Sequence, residues 1–423
     1  MARIIPFKAL RYDKRIKLDK AVCPPYDVIN RQQRSEFLKK SAYNIVRIVL
    51  PERRAGNGGY VGAGNELSSW IDKGIFCQDS AESLYIYEQE FTLAGKLSKR
   101  LGFISLLGLE SSKDKSPLPH ENVFLKPLLD RVSLMKAVRA HLSPVFMVFD
   151  DKGGLCQARL KKIIKKIKPD LDIRADNCRH RLWRLNDKEL VFGIQRKLDR
   201  SRTFIADGHH RFKASVMTRD YFDSRYRAPG GHRFTLAYFV SSRDKGLKIL
   251  PTHRAVRQLP SGFGIDYIKD RLSPHFDVRQ IKPSCADRLM KRAFLAKRCS
   301  FVMYYENKYI FISLKDKTII KGMEPKGASL RWKGLDVSIL HNLVLKRFLK
   351  IKERVKKERN IYYYKDSKEL ITHVNDGRYG LGILLNPSTM DDVIALAKNG
   401  ERMPHKSTYF YPKPITGLVI HKF

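Results

Sequence analysis

Apolar residues along the chain fall into short runs separated by turn-forming residues. The runs at 43–50 (YNIVRIVL), 83–91 (SLYIYEQEF), 102–109 (GFISLLGL) and 144–149 (PVFMVF) read as buried strands, as do 202–206, 235–240, 301–305 and 380–385. They are short, β-branched or aromatic, and bounded by Gly, Pro, Asp or Ser. Helical spacing appears between them. Leu160, Ile163, Ile164 and Ile167 recur at i, i+3, i+4 and i+7, with lysines filling the rest of 161–168. The stretches 337–348 and 390–398 predict two more helices, the second capped by Ser388 or Thr389. Strands and helices in alternation predict an α/β fold of the mixed α+β kind, built as several lobes. The glycine-rich 53–64, the DDKGG of 150–154 and the stretch 324–331 read as loops. Soft boundaries near 150 and 330 give three regions, 1–150, 151–330 and 331–423.

Composition narrows this picture. The chain has 423 residues, 43% of them apolar, which is enough for a real core and excludes wholesale disorder. Lys and Arg number 83 against 43 Asp and Glu, a net charge of +40. That excess favours anionic partners: nucleotides, phosphorylated metabolites or nucleic acid. The basic stretches 160–168 and 346–359 are the best nucleic-acid candidates, but neither carries a helix-turn-helix, zinc-finger or RNA-binding signature, so nucleic acid is not the favoured partner. No apolar run approaches the length of a membrane span, and residues 1–10 lack the apolar stretch of a secretory leader. The six cysteines are scattered with no C-x-x-C pair, which argues against a disulfide framework and fits a reducing cytoplasm.

The segment 203–215 (TFIADGHHRFKAS) is the most informative. A strand ends at Ala206, Asp207-Gly208 makes a sharp turn, and His209 starts a helix. Such a junction points backbone N–H groups and the positive helix end at an anion. Arg211 offers a guanidinium suited to phosphate, and Asp207, His209 and His210 can move protons or meet a phosphate-bound Mg²⁺. Pro119-His120-Glu121 supplies a candidate general base in Glu121, with His120 beside it. Lys126, Asp130 and Arg131 follow at spacings that share a helix face. In Cys23-Pro24-Pro25-Tyr26-Asp27 the prolines fix a loop that presents Tyr26 and Asp27, while Cys23 reads as packing. Arg254, in 251–254 (PTHR), and Lys406 and Ser407, in 403–408 (MPHKST), are further phosphate candidates, though the latter stretch lacks the P-loop spacing.

These motifs together resemble the DUF1015 family of bacteria and archaea. The likeness rests on ADGHHRF at 206–212 and extends to PFKALRY at 6–12, CPPYDVI at 23–29, YNIVR at 43–47, YEQEF at 87–91, PHE at 119–121, HLSP at 141–144, PTHR at 251–254 and MPHKST at 403–408. Phe212, Lys213 and His405 stand where the family pattern has Tyr, Glu and Gln. The turn, with Asp207, Gly208, Arg211 and Ala214 in the D-G-x-x-R-x-x-A spacing, is also similar to the phosphate-holding element of the ParB and sulfiredoxin superfamily, which includes ADP-dependent free-serine kinases. That resemblance implies a small-molecule phosphotransferase using a nucleotide (ATP, ADP or CTP) and Mg²⁺. Gly208, Arg211, Arg254, Lys406 and Ser407 would hold phosphate, Asp207 would meet the metal, and Glu121, with His120, His209 and His210, would serve the chemistry. A nucleotide-gated DNA-binding protein, a phosphometabolite-binding protein without turnover, and a metal-dependent hydrolase using His120, His209 and His210 are the alternatives.

Overall fold

The computed structural model describes residues 2–52, 59–110, 117–226, 230–355 and 358–423. The fold is mixed α/β, and the chain forms two compact units: Met1–Lys248 with Pro412–Phe423, and Ile249–Tyr411.

The first unit is built on an eight-stranded sheet. Its order runs Thr203–Asp207, Val145–Phe149, Phe234–Ser241, Lys96–Gly108, Leu84–Leu93, Cys178–Leu185 and Leu171–Ala175, with Ile4–Ile5 also paired to Lys96–Gly108. Among its described strands, Val145–Phe149 and Phe234–Ser241 form the one parallel pair. The strand Val145–Phe149 thus sits between partners 54 or more residues later in sequence, and the sheet continues across the expected boundary near 150. One sheet face carries Ile86, Phe103, Met147, Phe149, Ile205 and Phe239, covered by Leu160, Val191, Ile194 and Leu198 of the helices Leu155–Ile164 and Lys188–Asp199. Helices Leu125–Val138 and His209–Asp223 pack together through Leu128, Val132, Met135 and Ala214.

The strand and helix expectations hold in outline, with three differences that have physical causes. Residues 43–50 are not a strand: Val46–Val49 is one helical turn, started by Asn44, whose Oδ1 accepts the Val46 N–H at 3.0 Å. Ile45, Val46, Ile48 and Val49 are all buried, so the run carried no periodicity to separate the two readings. Of the stretch 53–64, residues 53–58 lie outside the described residues, and 60–64 open the helix Tyr60–Asp72. Gly64 is there for close packing, since a Cβ would stand 2.6 Å from the Ala137 carbonyl oxygen of the neighbouring helix. The basic helix starts at Leu155 and ends at Ile164, so Lys165, Lys166, Ile167 and Lys168 lie beyond it.

The second unit has a six-stranded antiparallel sheet, in the order Phe276–Ile281, Lys308–Leu314, Ser300–Tyr305, Leu381–Leu385, His253–Val256 and Ile361–Tyr364. Helices Ala286–Leu295 and Ser367–Asn375 cover one face, with Met290, Ala293 and Leu370 against Val302, Phe311 and Ala255. The helix Met390–Lys398 has the expected N-cap: Thr389 accepts the Asp392 N–H in a capping box. Residues 340–348 form a helix with wide, π-type turns directly after Asp336–Ile339. The C-terminal segment rejoins the first unit. Thr416 bridges Cys23, Ile420 bridges Leu10, and His421–Lys422 pairs with Ala140–His141.

Candidate functional site

The edge strand Thr203–Asp207 ends in a register shift between Ile205 and Asp207, then turns sharply. Gly208 has φ 91°, ψ 31°, in the left-handed region, and opens the helix His209–Asp223. Glycine is needed twice here. A side chain would strain the backbone, and its Cβ would meet the Arg211 guanidinium at 2.9–3.0 Å. Because Gly208 stands at the N-cap, no side chain caps the helix start. The positive end of this four-turn helix therefore has no side-chain acceptor supplied at its N-cap.

Arg211 is not an outward-facing phosphate clamp. It is buried, donates from Nη1 to the Pro144 carbonyl, and holds Asp207 Oδ2 from Nη2 at 2.8 Å. Its Nε is buried without a hydrogen-bond partner. Arg211 thus positions the turn. The other Asp207 oxygen, Oδ1, meets Lys413 Nζ at 2.7 Å, and the same ammonium also reaches Asp27 Oδ2. Burial would lower the Lys413 pKa, but the two carboxylates outweigh it and raise the pKa above the ordinary lysine value. Lys413 was not legible as a site residue. It comes from the returning C-terminal segment, held there by Gln89 Nε2 on its carbonyl at 3.0 Å and by buried Arg100 on the Pro412 carbonyl. Its one local signal is its setting between two prolines.

With both oxygens of Asp207 engaged by cations, the expected role of Asp207 as a Mg²⁺ ligand does not fit. Among the described residues no three His, Cys, Asp or Glu side chains converge as a metal site requires. The three histidines expected to serve a hydrolase do something else. Residues 118–120 run beside the edge strand, with Leu118 paired to Phe204. His120 donates from Nδ1 to the Ile205 carbonyl at 2.8 Å, its N–H is accepted by His209 Nε2 at 3.2 Å, and the two rings meet edge to face at 4.7 Å. His210 Nε2 accepts the Phe124 N–H at 3.0 Å and stacks on that ring. His209 and His210 thus use ring nitrogens to pin residues 120–124 against the helix start.

That pinning brings Glu121 to the turn. Its Oε2 lies 3.8 Å from His209 Nδ1, and its side chain is 28% exposed. Tyr26 and Asp27 arrive on a single 3₁₀ turn, Tyr26–Val28. The Arg131 guanidinium lies 4.0 Å from the Tyr26 ring centroid, and Arg131 also pairs with Asp130 and donates to the Val49 carbonyl at 3.0 Å. Tyr26, Arg131, Ser143 and Arg211 line one small hollow. Burial first, then the Asp27 charge, raises the Tyr26 phenol above its usual pKa. Cys23 is fully buried and its thiol pKa is raised by burial, in keeping with packing. Lys126 is exposed in the first turn of Leu125–Val138 and joins none of these contacts. Arg254, Lys406 and Ser407 belong to the second unit and form a cluster of their own. Arg254 is fully buried, donating to His341 Nε2 at 3.0 Å, to the Thr252 carbonyl and to the Lys406 carbonyl at 3.1 Å. Burial lowers its pKa to about 10. Ser407 Oγ donates to the Pro404 carbonyl.

Fold and site define an α/β protein whose central feature is a strand–turn–helix junction with an ionic cluster at the turn. The family described as "Protein of unknown function (DUF1015)" matches residues 4–338, and the chain belongs to that family. No curated protein matches the chain. Among solved structures, a conserved hypothetical protein from Pyrococcus furiosus is 13% identical over 72% of this chain and 91% of its own, with a TM-score of 0.34. A free serine kinase variant in complex with ADP is 13% identical over 71% of this chain and 88% of its own, TM-score 0.35. SbnI with a C-terminal truncation, from Staphylococcus aureus, is 10% identical over 75% of this chain and 87% of its own, TM-score 0.34.

Proposed function

We propose that the first unit is a nucleotide-dependent small-molecule phosphotransferase working at the Asp207 turn. The observation that supports this reading is the meeting of a carboxylate, Glu121, with a helix start that has no side-chain cap. Oriented first-turn N–H groups suit a phosphate and the charge that builds on it during transfer. Glu121, partly exposed beside His209, is the group to take the proton from an acceptor hydroxyl. Arg211 and Lys413 each hold one oxygen of Asp207 and fix the turn. No step is assigned to Mg²⁺. A binding protein without turnover is the second reading. It is favoured by the internal pairing of Asp207 and Arg211, which leaves fewer charged groups for the substrate.

The test is a transfer screen with ATP, ADP and CTP as donors and hydroxyl-bearing small molecules, including serine-like amino acids, as acceptors, followed by phosphorus NMR. Wild type should transfer a phosphoryl group from one of them. Glu121→Gln should lose on the order of 10²–10⁴ in kcat with KM for the nucleotide little changed. Nucleotide binding with no transfer to any acceptor would favour the second reading, and no binding at all would end both.

A further inference from the structure

The second unit contains a cavity of about 360 Å³, within the range of small-molecule sites. Lys297, Arg298, Lys317 and Lys406 contribute to its wall, as do Arg331 and Arg254. Some of these charges are committed. Arg331 pairs with Asp392 at 3.1 Å, Arg298 pairs with Asp277 at 3.2 Å, and Arg254 is tied to His341 and two carbonyls. Among the described residues, the Lys297 and Lys406 ammonium groups have no carboxylate within ion-pair distance.

The backbone at these two lysines is unusual. Lys297 has φ 52° and Lys406 φ 57°, both left-handed, where glycine is easier. Lys297 closes the helix Ala286–Leu295. Its N–H bonds the Phe294 carbonyl and the Arg298 N–H bonds the Ala293 carbonyl, the Schellman arrangement whose left-handed position is usually glycine. At both places a long cationic side chain stands on a backbone that favours having none, and both line the same cavity. Three acids share the wall, Asp336, Asp391 and Asp392; Asp392 is paired with Arg331, and Asp336 opposes an anion less than an ordinary carboxylate does. Burial pushes the Asp336 carboxyl up to about 7, against hydrogen bonds from the Cys299 thiol and the Ser300 N–H, with Asp392 raising it and Lys317 lowering it.

We propose that this cavity is a second ligand site, taking a small phosphorylated molecule whose phosphate is held by Lys297 and Lys406. Ammonium groups of two residues on separate segments of the wall are point charges and suit a tetrahedral phosphate, whereas a planar carboxylate is best met by a free arginine fork. The site is distinct from the Asp207 turn and does not depend on phosphoryl transfer there.

Calorimetric titration of the full chain with inorganic pyrophosphate tests it. The informative variant is Lys297→Gly with Lys406→Gly, because glycine suits both backbones and folding is preserved. A control, Lys161→Ala with Lys162→Ala, removes two exposed charges from the helix Leu155–Ile164. Wild type and control should show the same saturable binding event, weakened at least tenfold by the glycine pair. No saturable binding to wild type, an unaffected glycine pair, or an equal loss in the control would each overturn the proposal. Tighter binding of citrate than of pyrophosphate would overturn the phosphate assignment.

Discussion

Lys413 sits between Asp27 and Asp207 with its side chain only 7% exposed, and Arg211 closes the other side of Asp207. Removing the ammonium leaves a partly buried carboxylate facing another, which typically costs about 3–5 kcal/mol. Lys413→Met should therefore lower the unfolding free energy by about that amount in urea titrations. An unchanged midpoint would mean that the ammonium does not hold the two carboxylates together. At this scale the sequence was half legible. Asp207, Gly208 and Arg211 lie in one short motif whose local chemistry already implies a turn and a helix start. Arg211 was read as a phosphate ligand because composition cannot distinguish a guanidinium that faces out from one consumed by a carbonyl and a carboxylate. Lys413 lies 206 residues from its partner Asp207, and only the proline on either side of it marks it locally. His209 and His210 announced imidazole chemistry, but whether a ring nitrogen accepts from a substrate or from the backbone is decided by residues 120–124, brought there only by folding.

Elements whose signal is local were readable: the strand Thr203–Asp207, the capped helix Met390–Lys398 and the DG turn. Elements decided by packing were not. Val46, Ile48 and Val49 are all buried and so lack a period, and Gly64, inside the helix Tyr60–Asp72, reads as a loop residue until the opposing helix is in place. The C-terminal segment is the element that completes the candidate site, and two buried histidines where it docks predict a pH dependence. His141 and His421, on the paired strands Ala140–His141 and His421–Lys422, stack at 5.9 Å. Burial, reinforced by the neighbouring imidazole, lowers the His141 pKa to about 3, and burial lowers that of His421 to about 4. Below about pH 6.5 the unfolded chain gains protons that the folded chain refuses, so stability falls as pH drops. The urea midpoint should therefore fall between pH 6.5 and pH 4.5, and fall less in His141→Leu. A midpoint equally steep in that variant would show that His141 does not contribute.

At the scale of the whole molecule, the two proposals put a phosphate at one place in each unit. The sequence reading merged them into one, because Arg254, Lys406 and Ser407 carry the same chemistry as the Asp207 turn. The structure assigns them to different units. Among the described residues no helix is long and apolar enough to cross a membrane. In the function proposed above, the turn at 207–211 holds the phosphate of a nucleotide. Amide hydrogen exchange with and without ADP, ATP or CTP tests it most directly. One of these nucleotides should slow exchange at 208–212 and in the adjoining 120–124. Saturating nucleotide that leaves 208–212 unchanged, or that protects only the second unit, would contradict it.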